Sequence, residues 1–152
     1  MTNDPATLEP ASAPASDSPG LVAEIPPGGA FVEASGLILT ESTGTRVVGY
    51  AELGPAHHTP WGIVHGGLYA TLVETAASVG ATLAVYERGQ VAVGVNNSTD
   101  FLRSTTKGRV DLLAEPIIQG RVQQLWQVTI SRADGKIVAR GQVRLQNIPR
   151  PT

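Results

Sequence analysis

Residues 61–86 read WGIVHGGLYATLVETAASVGATLAVY, and this stretch decides the fold. It opens on a glycine-rich loop, Trp61 to Gly67. It then runs from Leu68 to about Tyr86 with no proline and many alanines. Leu68, Leu72, Ala76, Val79, Leu83 and Tyr86 recur at three- and four-residue intervals, the spacing of an apolar helical stripe. The other faces are nearly apolar too: between Trp61 and Tyr86 the only acid or base besides His65 is Glu74. A helix that is apolar all round is a buried helix, here one wrapped by a sheet.

Outward from this helix the period of the pattern changes to two. On its N-terminal side Leu37-Ile38-Leu39 reads as a short strand, Gly44 as a turn, and Arg46 to Leu53 as an antiparallel partner ended by Gly54-Pro55. On its C-terminal side Val91 to Phe101 is one strand. Arg109 to Ile118 is a second, with Pro116 placing it near an edge or a bulge. Val122 to Ser131 is a third, and Asp134-Gly135 is a hairpin turn. In the fourth, Ile137, Ala139, Gly141, Val143 and Leu145 alternate with polar residues, giving one buried and one wet face. Two strands, one long helix and four strands in a meander predict an α+β fold, one antiparallel sheet wrapped around a central helix. The open face and edges of such a sheet need cover, which favours a dimer.

The remainder of the chain sets limits. Residues 1 to 28 are rich in Pro, Ala and Ser and cannot bury enough apolar surface to offset ordering entropy. They read as a disordered tail before one domain over residues 29–152. A net charge of -2 gives no general attraction to nucleic acid or to anionic membrane. The absence of cysteine excludes disulfides, thiolate metal sites and cysteine nucleophiles. The N-terminus lacks the basic and apolar regions of a secretory signal. The apolar segment from Leu68 to Tyr86 is broken by Glu74, Ser78 and Gly80, so it does not read as a membrane span. A soluble cytoplasmic protein is expected.

Chemistry concentrates on Glu74. Carboxylates are rarely buried without a partner, yet this one lies two turns inside an apolar helix with no base at i±3 or i±4. Two readings are open. It is a nucleophile or general base, or it is a structural acid paired with a distant arginine such as Arg103 or Arg109. The His65-Gly66-Gly67 turn sits where the helix begins. A helix N-terminus offers unpaired N–H groups and partial positive charge, and glycine lets a ligand approach them. That suits a developing oxyanion; the alternative is that the glycines only allow a tight turn. His65 is expected to fix the turn by a hydrogen bond, and His57 and His58 to be exposed loop residues. No metal spacing links the three histidines, and no metal is expected.

Gly67 and Glu74 share a helix face but are roughly 10 Å apart along the axis at about 1.5 Å per residue. One small carbonyl group does not touch both within one helix. Antiparallel helices in a symmetric dimer would bring the N-terminus of one subunit to Glu74 of the other. Ser78, one turn beyond Glu74, would orient the carboxylate or a water.

Trp61 to Gly67 followed by Glu74 resembles the hotdog thioesterases of the phenylacetate-pathway type, especially the Arthrobacter-type 4-hydroxybenzoyl-CoA thioesterases. The resemblance continues through Val91 to Gly94, Asn97, Phe101-Leu102-Arg103 and Lys107-Gly108, and covers roughly residues 36 to 147. It implies a hotdog fold and hydrolysis of an aryl- or fatty acyl-CoA, with coenzyme A as part of the substrate and no separate cofactor. Glu74 would be the catalytic carboxylate, the Gly66 amide would polarise the thioester carbonyl, and Ser78 would supply an assisting hydroxyl. Thr59 stands where the family usually has Asn or Gln; its hydroxyl is shorter and offers no amide N–H. With His65 these complete the implied catalytic set. Gly67, Asn97, Arg103, Gly120 and Arg121 are the implied substrate-binding positions. Of these, Arg103 would meet coenzyme A phosphates, and Gly120 and Arg121 would line the nucleotide without the family's Ser/Thr pair. The implied assembly is a homodimer or a dimer of dimers, the homotetramer. Two other functions compete: a hotdog hydratase or dehydratase using His65 and Glu74, and a non-catalytic acyl-CoA binding module.

Overall fold

A computed structural model describes residues 28–151. The tail expected over residues 1 to 28 lies outside the described residues except for Gly28.

Six strands and two α-helices lie among the described residues. A five-residue helix, α1 (Ala30–Ala34), comes first and is not anticipated by the periodicity, being too short to show any. Strands β1 (Leu37–Ser42) and β2 (Val47–Leu53) follow. The long helix α2 spans Gly66–Leu83. It begins two residues before Leu68, at the first glycine of the pair, and stops before Tyr86, which opens a separate 3-10 turn, Tyr86–Arg88. The last four strands are β3 (Gln90–Phe101), β4 (Gly108–Gln119), β5 (Gln123–Arg132) and β6 (Ile137–Pro149).

All six strands form one antiparallel sheet in the order β1-β2-β4-β5-β6-β3. The expected meander after the helix therefore holds only for β4, β5 and β6. β3 pairs with β6, from Gln90 opposite Pro149 to Phe101 opposite Ala139. β4 pairs with β2, from Val47 opposite Ala114 to Leu53 opposite Gly108. The physical reason is continuity. β1 and β2 alone would be a two-stranded ribbon, which is marginal in water, and the pairing of β2 with β4 makes them part of one continuous sheet. The connection over residues 102–107 crosses the sheet, joins both pieces, and leaves β3 as an edge.

The sheet curls around α2, which packs against all six strands. Tyr69, Leu72, Val73, Ala76, Ala77 and Gly80 are buried against it. The expectation of burial all round needs correction: Thr71, Glu74, Thr75 and Ser78 form a half-buried stripe on the helix. Gly80 marks the tightest approach, because a Cβ there would run into the ring of Trp126, a fully buried side chain of β5. Val128 and Ile130 alternate with Trp126 on the same inner face. Pro116 sits as expected at a bulge, between Pro116 and Ile118, two residues past the last pair of β4 with β2, Ala114 opposite Val47. Asp134-Gly135 makes the β5–β6 turn with Gly135 at φ 77°. There the Arg132 guanidinium and the Lys136 amide hold the Asp134 carboxyl below its ordinary range.

Candidate active site

The N-terminus of α2 is built by three backbone and side-chain contacts. His65 is the N-cap residue, and its Nδ1 accepts a hydrogen bond from the Gly67 amide at 2.8 Å. The ring proton is therefore on Nε2. The His65 amide donates to the carbonyl of His57 at 2.8 Å, and the Val64 amide to that of Thr105 at 2.8 Å. These bonds hold the loop against its neighbours. The capping role expected for His65 is met in this way.

One donor is left over. Gly66 N–H is the first amide of the helix and has no intrahelical acceptor; it makes no hydrogen bond among the described residues. It carries the partial positive charge of the helix end. Neither Gly66 nor Gly67 has a positive φ, so a sharp turn is not what calls for glycine at these positions. A Cβ on Gly66 would stand 2.6 Å from the Phe101 ring, and one on Gly67 would stand 2.9 Å from His65 Nδ1. Close approach, not backbone strain, is the requirement.

Glu74 meets the edge strand β3. Its Oε2 accepts a hydrogen bond from Asn97 Nδ2 at 2.9 Å. The same Nδ2 donates to the carbonyl of Ala70 at 3.1 Å, and Asn97 Oδ1 accepts from Thr99 Oγ1 at 2.6 Å. The other oxygen, Oε1, lies over Gly94, where any Cβ would collide with it. A bulge between Gly94 and Asn96 brings the backbone to this position. The arginine pairing considered for Glu74 is not found. Arg103 donates to the carbonyl of Ile137, and Arg109 pairs with Asp111 at 2.7 Å while lying over the Tyr50 ring. The carboxylate is thus held by an amide and pairs with no cation among the described residues.

The other sequence-derived positions fall at three places along α2. Near the N-terminal end of α2 lie Gly67, Thr59 and Arg103. The Thr59 hydroxyl accepts from the Trp61 amide at 3.3 Å, which occupies it in a turn closed by Thr59 N to the Ile63 carbonyl at 2.7 Å. Ser78 follows Glu74 by one turn. Gly120 and Arg121 lie at the opposite end. Their turn between β4 and β5 is next to the C-terminal turn of α2, since Gln124 of the same hairpin bonds the Ala81 carbonyl at 2.9 Å. One chain therefore does not bring Arg121 to Arg103.

His57 and His58 are not exposed loop residues. His57 Nδ1 accepts from the Gly54 amide at 3.2 Å and its Nε2 reaches the Ala34 carbonyl at 3.3 Å, tying α1 to the loop. His58 Nε2 reaches the Thr106 carbonyl. Both line a cavity of about 410 Å³ together with His65, Gly67, Leu68 and Thr71. Local sequence gives no signal for this cavity, because one of its walls is Phe31 and Ala34 of α1, far from the histidines in sequence. No group of three or more His, Asp or Glu among the described residues is placed to hold a metal. No helix among them is long and apolar enough to cross a membrane.

A single antiparallel sheet curled about one helix, with a capped helix N-terminus and an amide-held glutamate on that helix, defines a hotdog-fold protein. The chain belongs to the thioesterase superfamily, whose family model matches residues 62–139. A Mycobacterium tuberculosis protein with a provisional esterase name is 52% identical over 89 residues, 57% of this chain and 64% of that protein. The chain's match thus spans just under two thirds of that relative's length. The solved structure of the same relative superposes with a TM-score of 0.77 at 42% identity, covering 80% of this chain and 98% of that one. The proofreading thioesterase EntH of Cronobacter sakazakii is 30% identical over 108 residues, 71% of this chain and 78% of that protein. A thioesterase structure from Haemophilus influenzae gives a TM-score of 0.74 at 26% identity, covering 80% of this chain and 84% of that one.

Proposed function

We propose that the protein hydrolyses the thioester of an acyl-CoA, releasing a free acid and coenzyme A. The observation that carries this reading is the state of Glu74: half-buried, held at Oε2 by Asn97 and paired with no cation among the described residues, beside a glycine that clears space at Oε1. Such a carboxylate is oriented but not neutralised, as a nucleophile or base requires. In the proposed reaction a C–O bond forms at the thioester carbon, either with the oxygen of a water that Glu74 deprotonates or with Glu74 itself, giving a mixed anhydride that a water then splits to the free acid and Glu74. The C–S bond breaks, and the thiol leaves with a proton. The Gly66 amide at the helix N-terminus receives the carbonyl oxygen as its charge grows.

The two parts come from different subunits in this proposal. Within α2 the turn and the carboxylate are about 10 Å apart along the axis. β3 is an edge strand beside Glu74, and pairing two copies through it would continue the sheet and set the helices antiparallel. A homodimer, or a pair of such dimers, would then carry two sites per dimer. Ser78 assists the carboxylate, and Arg103, Gly120 and Arg121 meet the coenzyme A end. Thr59 contributes less than an amide would, its hydroxyl being shorter and without an amide NH₂.

The test is thiol release from a panel of aryl- and fatty acyl-CoAs, with 4-hydroxybenzoyl- and phenylacetyl-CoA included. Wild-type protein is expected to release thiol from at least one, and Glu74→Gln to be slower by a factor on the order of 10² or more. No thiol from any acyl-CoA, or undiminished release by a folded Glu74→Gln protein, would overturn the proposal.

A further inference from the structure

The β4–β5 turn is anchored from beneath by two buried amides. Gln124 is 1% exposed and Asn147 is 6% exposed. Neither position is accounted for by the packing of an apolar core. Gln124 Nε2 donates to the Ala81 carbonyl at 2.9 Å and to Asn147 Oδ1 at 2.8 Å, and Gln124 Oε1 accepts from Trp126 Nε1 at 3.0 Å. Asn147 Nδ2 then donates to two carbonyls of the turn itself, Gly120 and Arg121, both at 3.1 Å. The Asn147 amide also donates to the Val122 carbonyl at 2.8 Å. The polar atoms thus form one chain of bonds from the last turn of α2 to three successive carbonyls, those of residues 120, 121 and 122.

Buried amide networks are costly unless every member is satisfied, and satisfied ones fix a single local geometry. An apolar pair of similar volume would fill the same space without holding the turn. What is held is a short exposed turn that presents Arg121 to solvent. We propose that Gln124 and Asn147 are positioning residues: they lock the Gly120–Arg121 turn so that it meets the nucleotide of a coenzyme A thioester. This rests on the proposed acyl-CoA activity and on the nucleotide role proposed for that turn. Its consequence is specificity. The bonds act on recognition of the phosphorylated nucleotide and not on the chemistry at the thioester.

The experiment compares one acyl group carried by coenzyme A and by pantetheine, which lacks the nucleotide. Wild-type full-length protein should have a lower KM for the acyl-CoA. Asn147→Leu removes both bonds to the turn and should raise KM for acyl-CoA by roughly five- to thirtyfold, the scale of one or two lost hydrogen bonds. Its kcat should stay within about twofold, and KM for acyl-pantetheine should not move. Gln124→Met keeps the two bonds to the turn but cuts their tether to α2, so it should give the same pattern with a smaller rise. It supplies the reading if Asn147→Leu does not fold. Equal losses on both thioesters would make the pair merely structural and overturn the inference. Unchanged discrimination in the folded variants would also overturn it, while leaving the acyl-CoA activity standing. A wild-type protein that treats the two thioesters alike would remove the nucleotide role of the turn, and the inference with it.

Discussion

Asn97 on β3 joins Glu74 to its own helix: the Nδ2 group donates to Glu74 Oε2 at 2.9 Å and to the Ala70 carbonyl at 3.1 Å. The Thr99 hydroxyl on Oδ1 fixes which way the amide faces. The edge strand thus orients the carboxylate with a neutral donor. A neutral donor fixes the direction of the carboxylate without covering it with a cation, as a guanidinium would.

Replacing that donor by a second carboxylate gives a pH test. Asn97→Asp sets two acids at hydrogen-bond distance, where both cannot ionise freely. Like charge raises the second ionisation of the pair, the step that leaves both carboxylates charged. In the proposed mechanism Glu74 acts ionised, so activity would be lost at a higher pH as the solution is acidified. The acidic limb of the kcat/KM profile should move to higher pH, with a lower plateau. A limb that stays in place would show that Asn97 does not sense the charge of the catalytic group.

Gly94→Ala tests the space beside the carboxylate. The new methyl group collides with Glu74 Oε1, not with the core, so it should displace the side chain or the bulge and leave the buried packing alone. Turnover should fall by about tenfold or more, as expected when a reacting group is misplaced by a fraction of an ångström. The melting temperature should change little. Full turnover in the alanine variant would mean that the productive position of Glu74 is not the one observed.

Most of the fold was legible because its signals are local. The helix came from a proline-free apolar run, and β6 from clean alternation over Ile137 to Leu145. Strand order was not legible, because both edges of β3 carry the same backbone groups; only the joint demand of β2 and β6 for partners decides it. Glu74 was visible as an isolated acid, but its partner Asn97 is 23 residues away and sits beyond a bulge. The anchoring role of Gln124 and Asn147 was hidden for the same reason, since nothing in a polar residue on a strand shows that it points inward.

Gly80 is the packing counterpart of these hidden contacts. A mid-helix glycine costs about 1 kcal/mol against alanine from propensity alone, so sequence would suggest Gly80→Ala as stabilising. Here the Cβ would enter the ring of Trp126 and come to 3.0 Å from Val47, and both neighbours are fully buried. Overpacking costs about 1–3 kcal/mol, which outweighs the gain. Thermal unfolding of Gly80→Ala should begin several degrees below wild type. An unchanged or raised midpoint would mean that Trp126 can move aside.

Assembly of the site across a two-fold axis is the most exposed part of the proposed mechanism, and mixing of inactive chains tests it. Gly66 and Glu74 lie on one helix of about 27 Å, and a single thioester carbonyl cannot meet both on that helix. If each site takes its helix N-terminus from one subunit and its carboxylate from the other, two different defects can compensate. Glu74→Gln removes the carboxylate; Gly66→Val pushes a side chain into the Phe101 ring and blocks the turn. Each homodimer has two dead sites. A heterodimer has one site with both defects and one with neither. Random mixing makes half of all dimers mixed, so about a quarter of wild-type activity should return per chain. Unfolding the two proteins together and refolding them, with tags to confirm that mixed dimers form, gives the measurement. Mixed dimers without recovered activity would place the whole site within one subunit. The carbonyl would then have to bind elsewhere than at the Gly66 amide.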